Sequence, residues 1–128
     1  MMTTVVDASA YVDLLLDRVP SRGRDHFDTD LAAPDLLYVE IASGLSRAVR
    51  HGPLSATQAA FLLEQVLVAP IDITPMADLV RRAFELRDNL TLNDACYVAL
   101  AEHLGCGVLT ADRRLAGAPG LTVPFTLV

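Results

Sequence analysis

Lysine is absent from this sequence, and all ten of its basic residues are arginine. Sixteen aspartates and glutamates outnumber them, which leaves a net charge of −6. Sequence-independent affinity for nucleic acid comes from lysine and arginine, so this balance alone argues mildly against a nucleic-acid partner. The arginines nevertheless cluster at 18–24, 47–50, 81–87 and 113–114, and arginine binds phosphate in a bidentate fork. Exclusive use of arginine can equally reflect genomic base composition.

Cysteine and histidine are scarce, and their positions do not suggest a zinc site. Cys96 and Cys106 have no CxxC spacing, and His26, His51 and His103 have no mutual metal-binding spacing. We expect buried, inert thiols in a reducing compartment, and surface or helix-end roles for the histidines.

Long apolar runs are also missing. The longest uncharged run, 115–128, contains glycines and prolines and is too short to span a membrane. The amino terminus lacks a basic segment, and Asp7 and Asp13 interrupt any secretory signal. We therefore predict a cytoplasmic protein. With 128 residues, 52% of them hydrophobic, the chain fits one domain whose core needs no disulfides.

Short apolar runs alternate with helical periods, which predicts βαβ units around a parallel sheet with helices on both faces. The expected strands are 3–6, 32–34, 70–73, 107–110 and 122–125. The expected helices are 9–17, 22–31, 35–50, 55–68, 76–88 and 93–104, followed by a short turn at 113–116.

Four acidic residues stand where a surface acid is not expected: Asp7, Glu40, Asp94 and Asp112. Asp7 and Asp112 each follow a predicted strand, and open α/β sheets bind ligands at that edge. Glu40 interrupts an apolar segment, and Asp94 opens a largely uncharged helix. If the first and fourth strands are neighbours, right-handed crossovers bring Asp7 and Asp112 to one crevice, with Glu40 and Asp94 on its walls.

Each acid also has a structural explanation. Asp7 could cap the helix that follows it, and Asp94 could complete a capping box with Thr91. Asp112 could be a turn residue or a helix cap. Glu40 lies in the middle of its predicted helix, where no terminus uses its charge, so its alternative is rotation toward solvent.

Convergence of the four acids would raise their pKa values unless a positive group lay among them. The chain has no lysine that could supply this positive charge. A divalent cation solves this problem, and an all-oxygen site without histidine or cysteine selects Mg²⁺ or Mn²⁺ over Zn²⁺.

Four blocks of the sequence carry a family resemblance: 5–10 (VVDASA), 34–42 (PDLLYVEIA), 92–101 (LNDACYVALA) and 109–115 (LTADRRL). Together they resemble the motif blocks of PIN-domain nucleases, most closely the VapC-like ribonuclease toxins of bacterial toxin–antitoxin pairs. The resemblance runs from residue 3 to about 125. It implies an α/β fold, namely a PIN-like three-layer α/β/α sandwich with a parallel four- or five-stranded sheet, and a single PIN domain over 1–128.

The resemblance implies that the four acids are the catalytic residues and hold one or two Mg²⁺ or Mn²⁺ ions, with Asp7 and Asp94 as the first choices for direct ligands. Ser9 and Thr110 match small hydroxyl positions beside the pocket, where they could hold a metal-bound water or a substrate phosphate. Many relatives carry a further acid where this chain has Arg114. A complete second metal site is therefore left open.

The implied activity is that of a metal-dependent endoribonuclease, which hydrolyses RNA phosphodiester bonds through a metal-activated water. Glu40 or Asp112 would orient that water or accept its proton. The implied partners are an RNA substrate, a cognate antitoxin protein and a second copy of the chain in a homodimer. The apolar region 54–68 exceeds one helical stripe and serves either the core or an interface.

Two other functions fit parts of the pattern. One is a non-catalytic PIN-fold module that binds another protein. The other is an aspartyl phosphatase or phosphotransferase, which also places an aspartate after its first strand. That class requires a second acid where Ser9 stands, and its phosphoacceptor signalling members also require a lysine.

Overall fold

A computed structural model of the chain describes residues 2–128; Met1, the first residue of the predicted domain, lies outside them. Five parallel strands form one sheet in the order β3-β2-β1-β4-β5. They are β1 (Thr3–Val6), β2 (Asp30–Pro34), β3 (Asp72–Thr74), β4 (Val108–Thr110) and β5 (Phe125–Leu127). The first and fourth strands pair side by side, as predicted, so their carboxyl ends share one edge.

Within residues 2–128, seven helices flank this sheet. They are α1 (Ala8–Leu15), α2 (Ser21–Arg24), α3 (Leu37–His51), α4 (Ala56–Val68), α5 (Val80–Glu85), α6 (Leu92–Leu104) and α7 (Arg113–Ala116), with 3₁₀ turns at Asp25–Asp28 and Met76–Asp78. The predicted parallel α/β architecture is confirmed. Within residues 2–128, no helix has both the length and the apolar content that crossing a membrane requires.

The helix boundary signals in the sequence operate as expected. Helix α3 stops at His51, and Gly52 occupies its C-cap. Ser55 caps α4 through a reciprocal capping box with Gln58. Gly105 closes α6 with a left-handed φ of 66°, a conformation that favours glycine because it has no Cβ.

The helix predicted over 22–31 is wrong. Only Ser21–Arg24 is α-helical, and the chain becomes extended at Thr29. From Asp30 the backbone pairs with β1, and the Asp30 amide donates to the carbonyl of Met2 at 2.9 Å. Strand pairing therefore overrides the helical preference of this segment and starts β2 two residues before the predicted position.

Three other predicted boundaries are also shifted. The segment predicted as helix 76–88 divides into a 3₁₀ turn and the shorter α5. Strand β3 begins at Asp72 rather than at residue 70. Strand β5 lies at Phe125–Leu127 instead of 122–125, because β4 pairs with it residue by residue from Phe125 to Leu127.

The buried core lies along β1, β4 and α6. The segment 95–101 of α6 is buried along its whole length. Helices α1 and α3 approach closely at Gly44, where an added Cβ would lie 2.8 Å from a methyl group of Val12. The apolar region 54–68 is buried only in part, since Val66 is buried whereas Phe61 and Val68 are exposed; its use as an interface stays a prediction.

Candidate functional site

One cleft at the carboxyl edge of the sheet is lined by all four acids: Asp7, Glu40, Asp94 and Asp112. Its cavity volume is 760 Å³, and its walls include residues of α1, α3 and α6. Asp7 follows β1 and Asp112 lies just beyond β4, and these two strands are neighbours. The fold therefore brings the four side chains to one crevice.

Asp7 is the most deeply buried of the acids, with a relative exposure of 4%. It caps α1, because its Oδ1 accepts a hydrogen bond from the Ala10 amide at 3.0 Å. The same oxygen accepts from the Ser9 hydroxyl at 2.7 Å, and Oδ2 accepts from the Thr110 hydroxyl at 2.5 Å. The orientation of this carboxylate is thus fixed at both oxygens.

Ser9 and Thr110 serve Asp7 directly. Each hydroxyl donates its hydrogen to that carboxylate and accepts a hydrogen bond from the loop after β4, through the amides of Ala111 and Asp112. Thr110 is fully buried, so its hydroxyl holds Asp7 and is not available at the cleft surface. Ser9 does line the cleft.

Glu40 lies in the first turn of α3, which corrects the predicted mid-helix position, because the helix begins only at Leu37. Its Oε1 accepts a hydrogen bond of 2.6 Å from the hydroxyl of Tyr97, and its Oε2 accepts from the side-chain amide of Asn93 at 3.4 Å. The carboxylate is thereby tied to α6 rather than rotated freely into solvent.

Asp94 and Asp112 both lie at helix starts. Thr91 caps α6 by accepting from the Asp94 amide at 3.2 Å, which is one half of the predicted capping box. Asp112 caps α7 by accepting from the amides of Arg114 and Leu115. Its second oxygen lies 3.6 Å from the guanidinium of Arg114.

Burial and mutual repulsion raise the pKa values of three of these carboxyls. Burial raises the pKa of Asp7 more than its hydrogen bonds lower it, and the charge of Asp94 raises it further. Burial also raises the pKa of Glu40, to which the charges of Asp94 and Asp7 add. The pKa of Asp94 is raised by burial first and then by Asp112. The acids therefore lie close enough to repel one another.

The four acids offer only oxygen donors, which suits a hard divalent cation. A cation would also relieve the repulsion among the carboxylates. Across residues 2–128, however, no three acidic, histidine or cysteine side chains lie close enough together to hold a metal ion. The carboxylates line the cleft without yet converging on one point, so binding a metal ion requires some of them to turn inward.

Tyr97 is a site residue that the sequence reasoning did not identify. It is only 1% exposed, and its hydroxyl reaches into the cleft to hold Glu40. Burial and then the hydrogen bond to Glu40 raise its pKa far above the ordinary value, so it remains a protonated donor. The signal was its spacing: Tyr97 follows Asp94 by three residues and therefore shares its helix face.

Comparison with known proteins identifies the family. The family model of the PIN domain matches residues 4–121, a range that contains all four acids. The VapC ribonuclease Mb0985 of Mycobacterium bovis is 38% identical over 124 residues, which cover 97% of each chain. This chain is a PIN-domain protein of the VapC ribonuclease family.

Solved structures agree with this assignment. The structure of PAE2754 from Pyrobaculum aerophilum is 26% identical with a TM-score of 0.69, over 97% of this chain and 83% of that one. A toxin–antitoxin complex from Klebsiella pneumoniae is 19% identical with a TM-score of 0.65, over 98% of this chain and 99% of that one. The second likeness concerns the fold alone. The PIN-like fold expected of a VapC-family chain is thus confirmed.

Proposed function

We propose that this chain, as a single domain over 1–128, is a Mg²⁺- or Mn²⁺-dependent endoribonuclease and the toxin of a toxin–antitoxin pair. The observation that carries the proposal is the cleft at the carboxyl edge of the sheet, which is lined by four acids in a chain of the VapC ribonuclease family. The relative from Mycobacterium bovis is a ribonuclease, which supports RNA as the substrate.

Asp7, Glu40, Asp94 and Asp112 would hold the metal ion. When bound, the ion supplies water activation and neutralises charge on the phosphate oxygens. The guanidinium of Arg114 lies 3.6 Å from Asp112 and already offsets negative charge on that side of the cleft. This cation supports a site for one ion rather than two.

The protein contributes orientation. Ser9 and Thr110 hold the carboxylate of Asp7 at both of its oxygens, so this acid loses little freedom when it binds a ligand. Tyr97, on α6, holds one oxygen of Glu40 in the same way. Asp94 bears no such restraint on its carboxylate from a neighbouring wall, and we propose that it completes the metal site by turning inward.

RNA cleavage by the purified chain tests the proposed activity. Single-stranded RNA is incubated with Mg²⁺ or Mn²⁺, with and without a chelator, and the products are separated on a denaturing gel. We expect cleavage that the chelator abolishes and that Asp94→Asn reduces at least about a hundredfold, as for loss of a metal-orienting group. Asp88→Asn is the matched control, because Asp88 is exposed and does not line the cleft.

Equal rates and products for the wild type and Asp94→Asn would contradict the nuclease proposal and favour a non-catalytic PIN-fold module. Thermal unfolding with and without metal provides an independent measurement of metal binding. A ligand that binds only the folded state stabilises it in proportion to RT ln(1 + [L]/Kd). We therefore expect Mn²⁺ to raise the melting temperature of the wild type more than that of Asp94→Asn.

Two protein partners belong to the same proposal: a cognate antitoxin that inhibits the nuclease, and a second copy of the chain. The toxin–antitoxin complex from Klebsiella pneumoniae, which shares this fold, supports the first. Exposed apolar side chains, among them Phe61, Val68 and Val39, supply surface that a partner would cover. Light scattering of the isolated chain measures its oligomeric state. Sequencing the RNA ends formed during brief expression without an antitoxin identifies the target.

A further inference from the structure

The acidic cleft has a second end with the opposite charge. Besides the four acids, its lining includes Arg18 and Arg47, which we call the distal cation cluster, together with His51. None of the three belongs to the motif blocks of the family resemblance. The family motifs therefore do not explain why these residues lie in the same cavity as the carboxylates.

The direction of two helices separates the charges. Helices α1 and α3 follow the parallel neighbours β1 and β2, so both leave the same edge of the sheet. The acids stand at their starts, with Asp7 before α1 and Glu40 in the first turn of α3. The cations stand toward their far ends, with Arg18 beyond α1 and Arg47 in the second half of α3. The cleft therefore changes from negative to positive along these helices.

Helix geometry gives the scale of this separation. At a rise of about 1.5 Å per residue, Arg47 lies about 10 Å along the axis from Glu40, and His51 lies about 16 Å along it. A stacked strand of nucleic acid advances about 3.4 Å per nucleotide, so Arg47 stands about three nucleotides from the acids. A strand crossing the acidic end thus has a cation within reach of its adjoining phosphates.

The basic residues of α3 that line the cleft are free to take a ligand. Arg47 and His51 are exposed, and in the described part of the chain neither forms an ion pair. Arg18 has only a long contact of 3.9 Å with Asp13, whose carboxylate also lines the cleft. A favourable interaction with the helix dipole does not explain their position, since Arg50 supplies the same charge to the last turn of α3 and does not line the cleft.

Electrostatics indicates a role for the distal cation cluster. The chain carries a net charge of −6, and its carboxylates repel a polyanion at the very place where the proposed chemistry occurs. Phosphate affinity must then come from local cations, and arginine binds phosphate through its bidentate fork.

We propose that the distal cation cluster binds backbone phosphates of the RNA strand and so positions an adjoining phosphodiester bond among the four acids. This proposal rests on the proposed nuclease function and adds the residues that hold the substrate. The contacts are to phosphates, so they strengthen binding without selecting a base sequence.

RNA binding, measured apart from cleavage, tests this proposal. The full chain is titrated against a fluorescently labelled single-stranded RNA in the presence of a chelator, and fluorescence anisotropy gives the Kd at several salt concentrations. Wild type is compared with Arg47→Gln and Arg18→Gln, and with Arg50→Gln as the matched control from the same helix. All three arginines are exposed, and melting curves verify that the variants fold.

We expect Arg47→Gln and Arg18→Gln each to raise the Kd about tenfold, and Arg50→Gln to leave it unchanged, as for loss of one charged hydrogen-bonding group. The slope of log Kd against log salt should fall by about 0.7 for each lost phosphate contact. The proposal is overturned if Arg47→Gln binds RNA as well as Arg50→Gln does, or if the wild type does not bind RNA. Failure of the wild type to cleave RNA that it binds would instead refute the nuclease function alone.

Discussion

Replacement of Tyr97 by phenylalanine removes the hydrogen bond that this hydroxyl donates to Glu40. The ring of Tyr97 is buried and its packing is retained in Tyr97→Phe, so the change deletes only the hydroxyl that donates to Glu40 at 2.6 Å. The remaining donor to Glu40 is the Asn93 side-chain amide at 3.4 Å, which is near the limit of a hydrogen bond. We expect Glu40 to lose both stabilisation and orientation.

The size of this loss follows from the partners of the bond. A hydrogen bond to a charged group contributes about 1.5 to 3 kcal/mol to folding. Glu40 is only half-buried, so water replaces part of the lost bond and the expected cost is near the lower value, about 1.5 kcal/mol. With an unfolding entropy of about 2 cal/mol/K per residue, the melting temperature should fall by about 6 °C.

The pH dependence tests whether the charge of Glu40 is involved. The hydroxyl of Tyr97 stabilises the ionised form of Glu40, so the cost of Tyr97→Phe should be largest above the raised pKa of Glu40 and smaller below it. Urea unfolding of the metal-free chain at neutral and acidic pH measures this difference. Tyr38→Phe is the control, since the donors to Glu40 are Tyr97 and Asn93. Equal losses for the two variants, or a loss independent of pH, would refute the reasoning.

Three further perturbations have defined outcomes. In metal-free protein, Asp94→Asn should raise stability by up to about 1 kcal/mol, the order of a partly exposed charge–charge interaction, because it removes a charge that burial and Asp112 disfavour. Because the folded-state pKa of Asp94 is raised, the wild type loses stability as pH rises through that pKa. The higher stability of Asp94→Asn should therefore appear in thermal melts at neutral pH and vanish in acid. Thr110→Val should cost about 2 kcal/mol in urea unfolding, because it leaves a buried oxygen of Asp7 without its donor; a cost below about 0.5 kcal/mol would contradict this. Gly44→Ala should destabilise the chain by about 1 to 2 kcal/mol despite the better helix propensity of alanine, since its Cβ meets Val12 at 2.8 Å, and unchanged stability would show that α1 and α3 can separate freely.

The sequence predicted the positions of the acids better than it predicted the ends of the elements. Asp7 and Asp112 follow strands whose apolar patterns are unambiguous, and the neighbouring positions of those strands bring the two acids together. Residues 22–31 show the reverse case. Their polar pattern suits a helix, but pairing of Asp30 with β1 decides the structure, and that pairing depends on residues far away in the sequence.

The distal part of the cleft was harder to predict for a different reason. The spacing of Arg47 and His51 places them on the same helix face as Glu40. Spacing does not indicate which other element that face packs against. Only the packing of α1 beside α3, with the close approach at Gly44, places Arg18 in the same cavity. Residues contributed by separate elements need the tertiary structure before they can be grouped.

Capping roles and site roles coexist in these acids because a carboxylate has two oxygens. Asp112 caps α7 through Oδ1, and its Oδ2 lies 3.6 Å from the guanidinium of Arg114, whereas both oxygens of Asp7 already accept hydrogen bonds. Asparagine has only one accepting oxygen, so in Asp7→Asn its amide would face either the Thr110 hydroxyl or the donors at Oδ1. Such a variant would lose activity through misplaced hydrogen bonds as well as through lost charge. Asp94 does not cap its helix, because Thr91 caps α6. Replacing Asp94 by asparagine therefore tests the lost charge without removing a helix cap, and it gives the clearer test of the chemistry.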